Sequence, residues 1–331
     1  MKERIFVTRR IPGKGLDLLK DRYDTVVWEE ETPPRQEQII DFSKDAVGIV
    51  TLLSDVIDRK MIESLPKLKV ISQYAVGYDN IDISTANKRG IIVTNTPGIL
   101  TETTADLTWA LIMATSRRIV EADAYVRKGN WKVAWGPEML AGTDVFGATL
   151  GIIGLGRIGC AVARRAKGFN MKVIYASRSE SNETKEIENY VGASKVELET
   201  ILKEADIVTI HLPLTSATRN LIDDKMLRIM KKGAILINTA RGPIVNEKAL
   251  ADALTSGHLR AAGLDVFHVE PTSSSNPLLR LQNVVVLPHI GSASISTREK
   301  MGEMCAVNII AALEGEVPPN IVNPEVMKIE K

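Results

Sequence analysis

The sequence predicts an α/β protein of two doubly wound, parallel-sheet domains with a cleft between them. Three observations carry that prediction. The chain has 331 residues, more than one ordinary core of about 100–150 residues accommodates. Short β-branched runs alternate with amphipathic stretches along most of its length, the pattern of parallel strands joined by crossover helices. Near the middle, a glycine-rich turn separates a strand pattern from a helix pattern.

In the first third, Ile5–Thr8, Gly48–Leu52, Val70–Gln73 and Ile91–Thr94 read as strands, with helices over Gly15–Arg22 and Arg59–Leu65 between them. A long apolar-periodic helix follows over Glu102–Tyr125, marked by Leu107, Ala110, Leu111 and Ala114. A second alternating series then begins. Its strands are Thr149–Ile153, Lys172–Ala176, Ile207–His211, Ala234–Thr239, Ala262–Val266 and Val284–Leu287, and six strands with helices between them suit a doubly wound dinucleotide fold. A last helix over about Thr297–Glu314 is closed by Gly315 and the Pro318-Pro319 pair. The helices bracketing the second series suggest a discontinuous layout in which the C-terminal helix returns to the first domain. Two consecutive domains are the alternative.

Composition narrows the function classes. Hydrophobic residues make up 44% and charged residues 25%, a globular balance that gives no reason to propose disorder. Forty-two basic and 41 acidic residues leave a net charge of +1, so no long-range field exists to steer nucleic acid or an anionic membrane. A small-molecule partner is expected instead. No run of about 18 apolar residues and no signal-type N-terminus occurs, and Cys160 and Cys305 read as isolated buried thiols without metal-type spacing. The expectation is a cytoplasmic protein with no metal site.

The turn itself reads Gly154-Leu155-Gly156-Arg157-Ile158-Gly159 and opens a helix over Arg157–Lys167. Gly154 suits the tight turn, Gly156 admits a pyrophosphate close to the backbone, and Gly159 lets helix and strand pack. The free N–H groups and positive dipole at the helix start favour phosphate. The following strand ends in Ser177-Arg178-Ser179, where an NAD site normally carries a carboxylate for the ribose 2′-hydroxyl. A guanidinium between two hydroxyls suits a 2′-phosphate, which favours NADP(H) over NAD(H). The alternative is that Arg178 is a solvated loop residue and Glu180 meets the ribose.

Reduction of a 2-oxo acid needs a cation for the substrate carboxylate and carbonyl, and an acid for the developing alkoxide. Successive strand ends offer both. Asn238-Thr-Ala-Arg-Gly-Pro243 supplies Arg241, Asp265-Val-Phe-His-Val-Glu-Pro271 supplies Glu270, and Leu287-Pro-His-Ile-Gly291 supplies His289. Arg241 can clamp a carboxylate bidentately. Glu270 beside His289 would favour the imidazolium, raising its pKa above the roughly 6.5 of a free histidine. Each residue alone is more often structural; their joint placement makes the combination worth testing. His211, at a strand end, is grouped with the cofactor cleft. His258 reads as a surface residue, and His268 lies beside the site without being aimed at it.

With these motifs in hand, the chain resembles the D-isomer-specific 2-hydroxyacid dehydrogenase family, and most its glyoxylate/hydroxypyruvate reductase branch. The resemblance rests on Tyr74-Ala-Val-Gly-Tyr-Asp-Asn-Ile-Asp82, Leu100-Thr-Glu-Thr-Thr-Ala-Asp106, Gly154–Gly159, Asn238–Pro243, Asp265–Pro271 and Leu287–Ser292. It implies a Rossmann cofactor domain over residues 100–290. A flavodoxin-like substrate domain is implied over residues 1–99 together with about 291–331. Arg241, Glu270 and His289 are implied as the catalytic trio: substrate anchor, histidine partner and proton donor. The resemblance assigns cofactor contacts to Thr104, Gly154, Leu155, Gly156, Arg157, Ile158, Gly159, Ser177, Arg178, Ser179, Thr239, Ala240, Arg241, His289 and Gly291. It assigns the substrate to Leu53, the Val76-Gly77 backbone, Arg241 and His289. It also implies a homodimer through the cofactor domain, with Trp131 and Trp135 in the contact segment Tyr125–Val145.

Ser177-Arg178-Ser179 and the end of the chain at residue 331, with no added regulatory domain, favour the reductase branch over phosphoglycerate dehydrogenase. Trp109 and the His268-Val269 pair depart from the pattern without an interpretation. Other D-2-hydroxyacid dehydrogenases remain as an alternative. So do nucleotide-sensing scaffolds of the same fold, which retain the motifs but act by binding partner proteins.

Overall fold

A computed structural model describes residues 2–178 and 181–328. The chain divides into two units, Met1–Leu100 with Ser292–Lys331, and Thr101–Gly291.

The first unit is a parallel sheet of β1 (Arg4–Val7), β2 (Asp24–Val27), β3 (Ala46–Thr51), β4 (Val70–Gln73) and β5 (Ile92–Thr94), in the order β2-β1-β3-β4-β5. Helices α1 (Gly15–Arg22), α2 (Gln36–Ser43), α3 (Arg59–Glu63) and α4 (Ile83–Lys88) make the crossovers. Because successive side chains in a strand point to opposite faces, β1 builds two cores at once. Phe6 joins Ile39, Ile49, Met61 and Ile71 on one face. Ile5 and Val7 join Leu19, Val50, Val70, Cys305 and Ile309 on the other. Burial on both faces explains why these strands read as unbroken apolar runs. Asp58 and Asp82 start α3 and α4 by accepting from the N–H groups of Met61 and Thr85, each at 3.0 Å. The helix over Ile295–Leu313, capped by Ser294, covers the second face, and Val93 N–H donates to the buried Asn323 at 2.7 Å.

The second unit begins with α5 (Thr101–Ser116) and α6 (Ile119–Arg127). Its strands are β6 (Thr149–Ile153), β7 (Lys172–Ala176), β8 (Ser194–Lys195), β9 (Ile207–Ile210), β10 (Ile235–Asn238), β11 (Ala261–Leu264) and β12 (Val284–Val286). All are parallel, in the order β12-β11-β10-β9-β6-β7-β8. Chain order reverses direction at β6 and β9, the switch point beyond whose strand ends doubly wound sheets bind ligands. Helices α7 (Arg157–Ala166), α8 (Asn182–Val191), α9 (Leu198–Glu204), α10 (Asp224–Ile229) and α11 (Glu247–Thr255) complete the unit, and the C-terminal helix Ile295–Leu313 of the first unit is α12.

Three expectations need correction. The single helix over Glu102–Tyr125 is two helices, because Arg118 takes a left-handed φ of 53° and the Ser116 carbonyl accepts from Thr143 N–H at 2.8 Å. A remote stretch of chain thus takes an acceptor that a continuous helix would use. Strand β2 is additional to the expected set; it is an edge strand with half-buried side chains, so its alternation is weak. Strand β8 adds a seventh member to the second sheet, and its two exposed residues leave no pattern to read. The two cysteines are buried free thiols, and burial pushes Cys160 up to about 11 and Cys305 to about 12.

Candidate active site

All three residues of the expected trio lie in the second unit, on loops that follow neighbouring strands. After β10, the Asn238 side chain accepts from Ala240 N–H at 3.0 Å and donates to the Arg241 carbonyl at 2.9 Å. This local turn fixes Thr239, Ala240 and Arg241, and Thr239 is further tied to Thr108 at 2.9 Å. Arg241 donates to the Ala240 carbonyl at 2.8 Å and is half-buried. A Cβ on Gly242 would lie 1.9 Å from the Phe267 carbonyl carbon. Only glycine permits the loop after β10 to press so closely on the loop after β11.

That second loop carries Glu270, which accepts from Phe267 N–H at 2.9 Å and pairs with His289 Nδ1 at 2.6 Å. Burial opposes ionisation of Glu270, but the His289 hydrogen bond and charge, the Phe267 N–H and the nearby Arg241 outweigh it. The carboxyl is held below its ordinary value. With Nδ1 turned to Glu270, Nε2 is the ring nitrogen left for another partner.

His289 has a left-handed φ of 54°, an uncommon conformation for a side chain of this kind. Asp265 holds it there. Its carboxylate, buried at the end of β11, accepts from Ile290 N–H at 2.7 Å and Gly291 N–H at 2.8 Å, while its carbonyl accepts from His289 N–H at 2.8 Å. Burial raises the Asp265 pKa, countered in part by those N–H groups and by His289. Asp265 opens the motif that carries Glu270, and its one signal in the sequence is a carboxylate directly at a strand end, two residues before Phe267. Thr104 donates to the Gly291 carbonyl at 3.2 Å, so α5 also braces this loop.

The glycine-rich turn provides a cradle in the same unit. Gly154 has φ of 97°, and a Cβ there would meet the His211 carbonyl oxygen at 2.7 Å. A Cβ on Gly159 would lie 2.2 Å from the Gly154 oxygen, whereas one on Gly156 meets nothing within 4 Å. The backbone is therefore packed on one side and open where a diphosphate would approach. Gly156 N-caps α7 with no side chain on its first N–H groups, leaving them to an anion. Leu155 is buried, Arg157 exposed and Ile158 half-buried. A dinucleotide fits this donor set. His211 is bonded to Thr209 at 2.9 Å, and burial pushes its pKa down to about 3.

At the end of β7, Ser177 is half-buried and Arg178 exposed; Ser179 and Glu180 lie outside the described residues. Leu53, Val76 and Gly77 belong to the first unit, on the loops after β3 and β4, and all three are half-buried. His268 is exposed, and His258 is half-buried rather than a free surface residue.

Comparison with known proteins places these features in a family. The family model of the D-isomer specific 2-hydroxyacid dehydrogenase NAD binding domain matches residues 109–291. A glyoxylate reductase of Korarchaeum cryptofilum is 53% identical over 329 residues, covering 99% of this chain and 98% of that protein. A crystal structure of a protein from Thermus thermophilus superposes with a TM-score of 0.90 at 47% identity, covering 96% of this chain and 99% of that one. The NADPH-dependent glyoxylate/hydroxypyruvate reductase of Sinorhizobium meliloti, in complex with NADP and malonate, gives a TM-score of 0.85 at 31% identity, covering 97% of each chain.

Proposed function

Since the chain belongs to the D-isomer-specific 2-hydroxyacid dehydrogenases, and is thus an NAD(P)-dependent oxidoreductase acting on a 2-oxo acid, we propose that it reduces glyoxylate or hydroxypyruvate. The products are glycolate or D-glycerate. The observation that carries the reading is the 2.6 Å His289–Glu270 pair beside a loop bearing Arg241. The glyoxylate reductase names of relatives at this level of identity supply the substrate class.

In this reading Arg241 clamps the substrate carboxylate and polarises the carbonyl, a task suited to a planar, permanently charged fork. A nicotinamide dinucleotide held at the Gly154–Gly159 turn would supply the hydride to the carbonyl carbon. His289 gives the proton on Nε2 to the carbonyl oxygen as negative charge develops there. Glu270 neutralises the imidazolium and fixes the ring; Asp265 fixes the loop.

Thr104, Gly154–Gly159, Ser177–Ser179, Thr239–Arg241, His289 and Gly291 form the cofactor set of the Thr101–Gly291 unit. Leu53 and the Val76-Gly77 backbone form the substrate set of the other unit. NADP(H) is favoured over NAD(H) because Arg178 stands exposed at the end of β7, where a 2′-phosphate meets a cation. A homodimer through Tyr125–Val145 is part of the proposal. The exposed Trp131, Val133 and Trp135 support it, since apolar side chains in such a run call for cover. A cytoplasmic site of action is also part of it; among the described residues no helix is long and apolar enough to cross a membrane.

The test is to follow nicotinamide absorbance with glyoxylate, hydroxypyruvate and pyruvate against NADPH and NADH. Turnover of glyoxylate or hydroxypyruvate, most efficient with NADPH, is expected. No oxidation of either cofactor by any of the three acids would overturn the enzyme reading in favour of a nucleotide-sensing scaffold.

A further inference from the structure

In the loop after β4, three consecutive carbonyls are tied back by hydrogen bonds. Ala75 O accepts from Thr96 N–H at 2.9 Å, Val76 O from Asn95 Nδ2 at 2.8 Å, and Gly77 O from Gln73 Nε2 at 3.3 Å. In a planar trans peptide the N–H points opposite the C=O. Fixing these carbonyls therefore aims the N–H groups of Val76, Gly77 and Tyr78 away from their tethers. Among the described residues none of the three N–H groups donates to an acceptor. Val76 and Gly77 are half-buried and Tyr78 is exposed, so the donors are reachable. Successive unpaired backbone donors make an anion site.

The tethers are themselves held. Gln73 is fully buried; its Oε1 accepts from Thr51 Oγ1 at 2.6 Å, and its Nε2 also donates to Asn80 Oδ1 at 2.8 Å. Asn80 Nδ2 donates to the carbonyls of Leu52 and Asp55 at 3.1 and 2.8 Å, one on each side of Leu53. The Asp55 carboxylate, 3% exposed, closes the chain by accepting from Thr8 Oγ1 at 2.5 Å and Leu52 N–H at 2.7 Å. One relay of side-chain amides thus sets the Leu53 turn and the Val76–Tyr78 loop in register with each other.

We propose that Gln73, Asn80 and Asn95 are positioning residues that aim the amides of Val76, Gly77 and Tyr78 at the substrate carboxylate while fixing Leu53 alongside. The proposal rests on a 2-oxo acid as the substrate. It adds a third amide and three side chains that act without touching the ligand.

The test uses Gln73→Glu and Asn95→Asp in the full-length protein. Each keeps the shape of the side chain and removes the donating NH2 group. Oxalate binding is measured by calorimetry with NADPH present, alongside steady-state kinetics and melting curves. The oxalate Kd and the KM for glyoxylate should each rise about tenfold, with kcat less affected and the KM for NADPH within about twofold. Rescue should follow from Asn95→Gln or Gln73→Asn only in part, because reach differs.

If Gln73→Glu fails to fold around its buried charge, the half-buried Asn95→Asp decides the question. Folded variants with lower melting temperatures but unchanged Kd and KM would overturn the positioning role. So would a wild-type protein that binds no oxalate. A wild-type protein that binds oxalate but reduces no 2-oxo acid would sink the proposed reaction and leave the amide site standing.

Discussion

Residue chemistry sets the sharpest expectations. Arg241→Lys exchanges a planar fork for a point charge, so the KM for the oxo acid should rise and kcat fall. Losing one charged hydrogen bond of about 1.5–3 kcal/mol lowers kcat/KM about ten- to hundredfold; an unchanged value for glyoxylate would remove Arg241 as anchor. Glu270 has a lowered pKa, so the fold favours its ionised form. Its contribution to stability is full above the ordinary carboxylate range and is lost as pH falls through the lowered value. Glu270→Gln should therefore flatten the acid limb of stability, read as melting temperature against pH. The same variant removes the carboxylate that pairs with His289 Nδ1, so kcat/KM for oxo-acid reduction should fall across the pH range. Superimposable kcat/KM profiles would exclude Glu270 from the mechanism. Arg178→Asp should cut NADPH efficiency more than NADH efficiency, because a 2′-phosphate then meets a like charge; a constant ratio would mean that other groups hold it.

The elements show why some features were legible and others not. Buried parallel strands such as β3 and β6 carry unbroken apolar runs, and the glycine turn declares itself by spacing, so both were readable. Edge strands β2 and β8 pack on one side only and leave little periodicity. The break between α5 and α6 depends on Thr143, a residue distant in sequence, and no local pattern announces it. Arg241, Glu270 and His289 are legible as candidates because each lies on the loop that follows a readable strand. The support from Asp265, Thr104 and Thr108 is not, since it consists of bonds made between separate elements. Gly242 belongs to this second kind. Gly242→Ala would force the loops after β10 and β11 apart, with an overpacking cost of about 1–3 kcal/mol. Melting temperature should fall by several degrees and kcat should fall with it, by more than dinucleotide affinity falls in a fluorescence titration, because the Gly154–Gly159 turn is untouched. Retention of full kcat would show that close approach of the two loops is dispensable.

For the whole molecule, cofactor binding is linked to folding. A ligand at a hundred times its Kd stabilises the native state by about 2.7 kcal/mol. NADPH should therefore raise the melting temperature more than NADH at equal concentration, a difference that Arg178→Asp should abolish. Equal shifts in the wild type would count against the NADP(H) preference. The proposed homodimer is tested by light scattering of wild type and Trp135→Lys, which should lower the mass toward that of a single chain; a wild type already at 36.3 kDa would dispose of the dimer.

The ordering of the units along the chain carries a consequence for synthesis on the ribosome. The unit begun first, with β1, acquires α12 and Asn323 only after the whole of Thr101–Gly291 has been made. Chains grow at about 5–20 residues per second and domains fold as units, so the inserted unit can close while the apolar face of Ile5, Val7, Val50 and Val70 still lacks its covering helix. In that interval the nascent chain exposes a sheet face that a chaperone would recognise. Arrest of translation just past Gly291 should yield a chain that retains dinucleotide binding yet is attacked by protease within its first hundred residues.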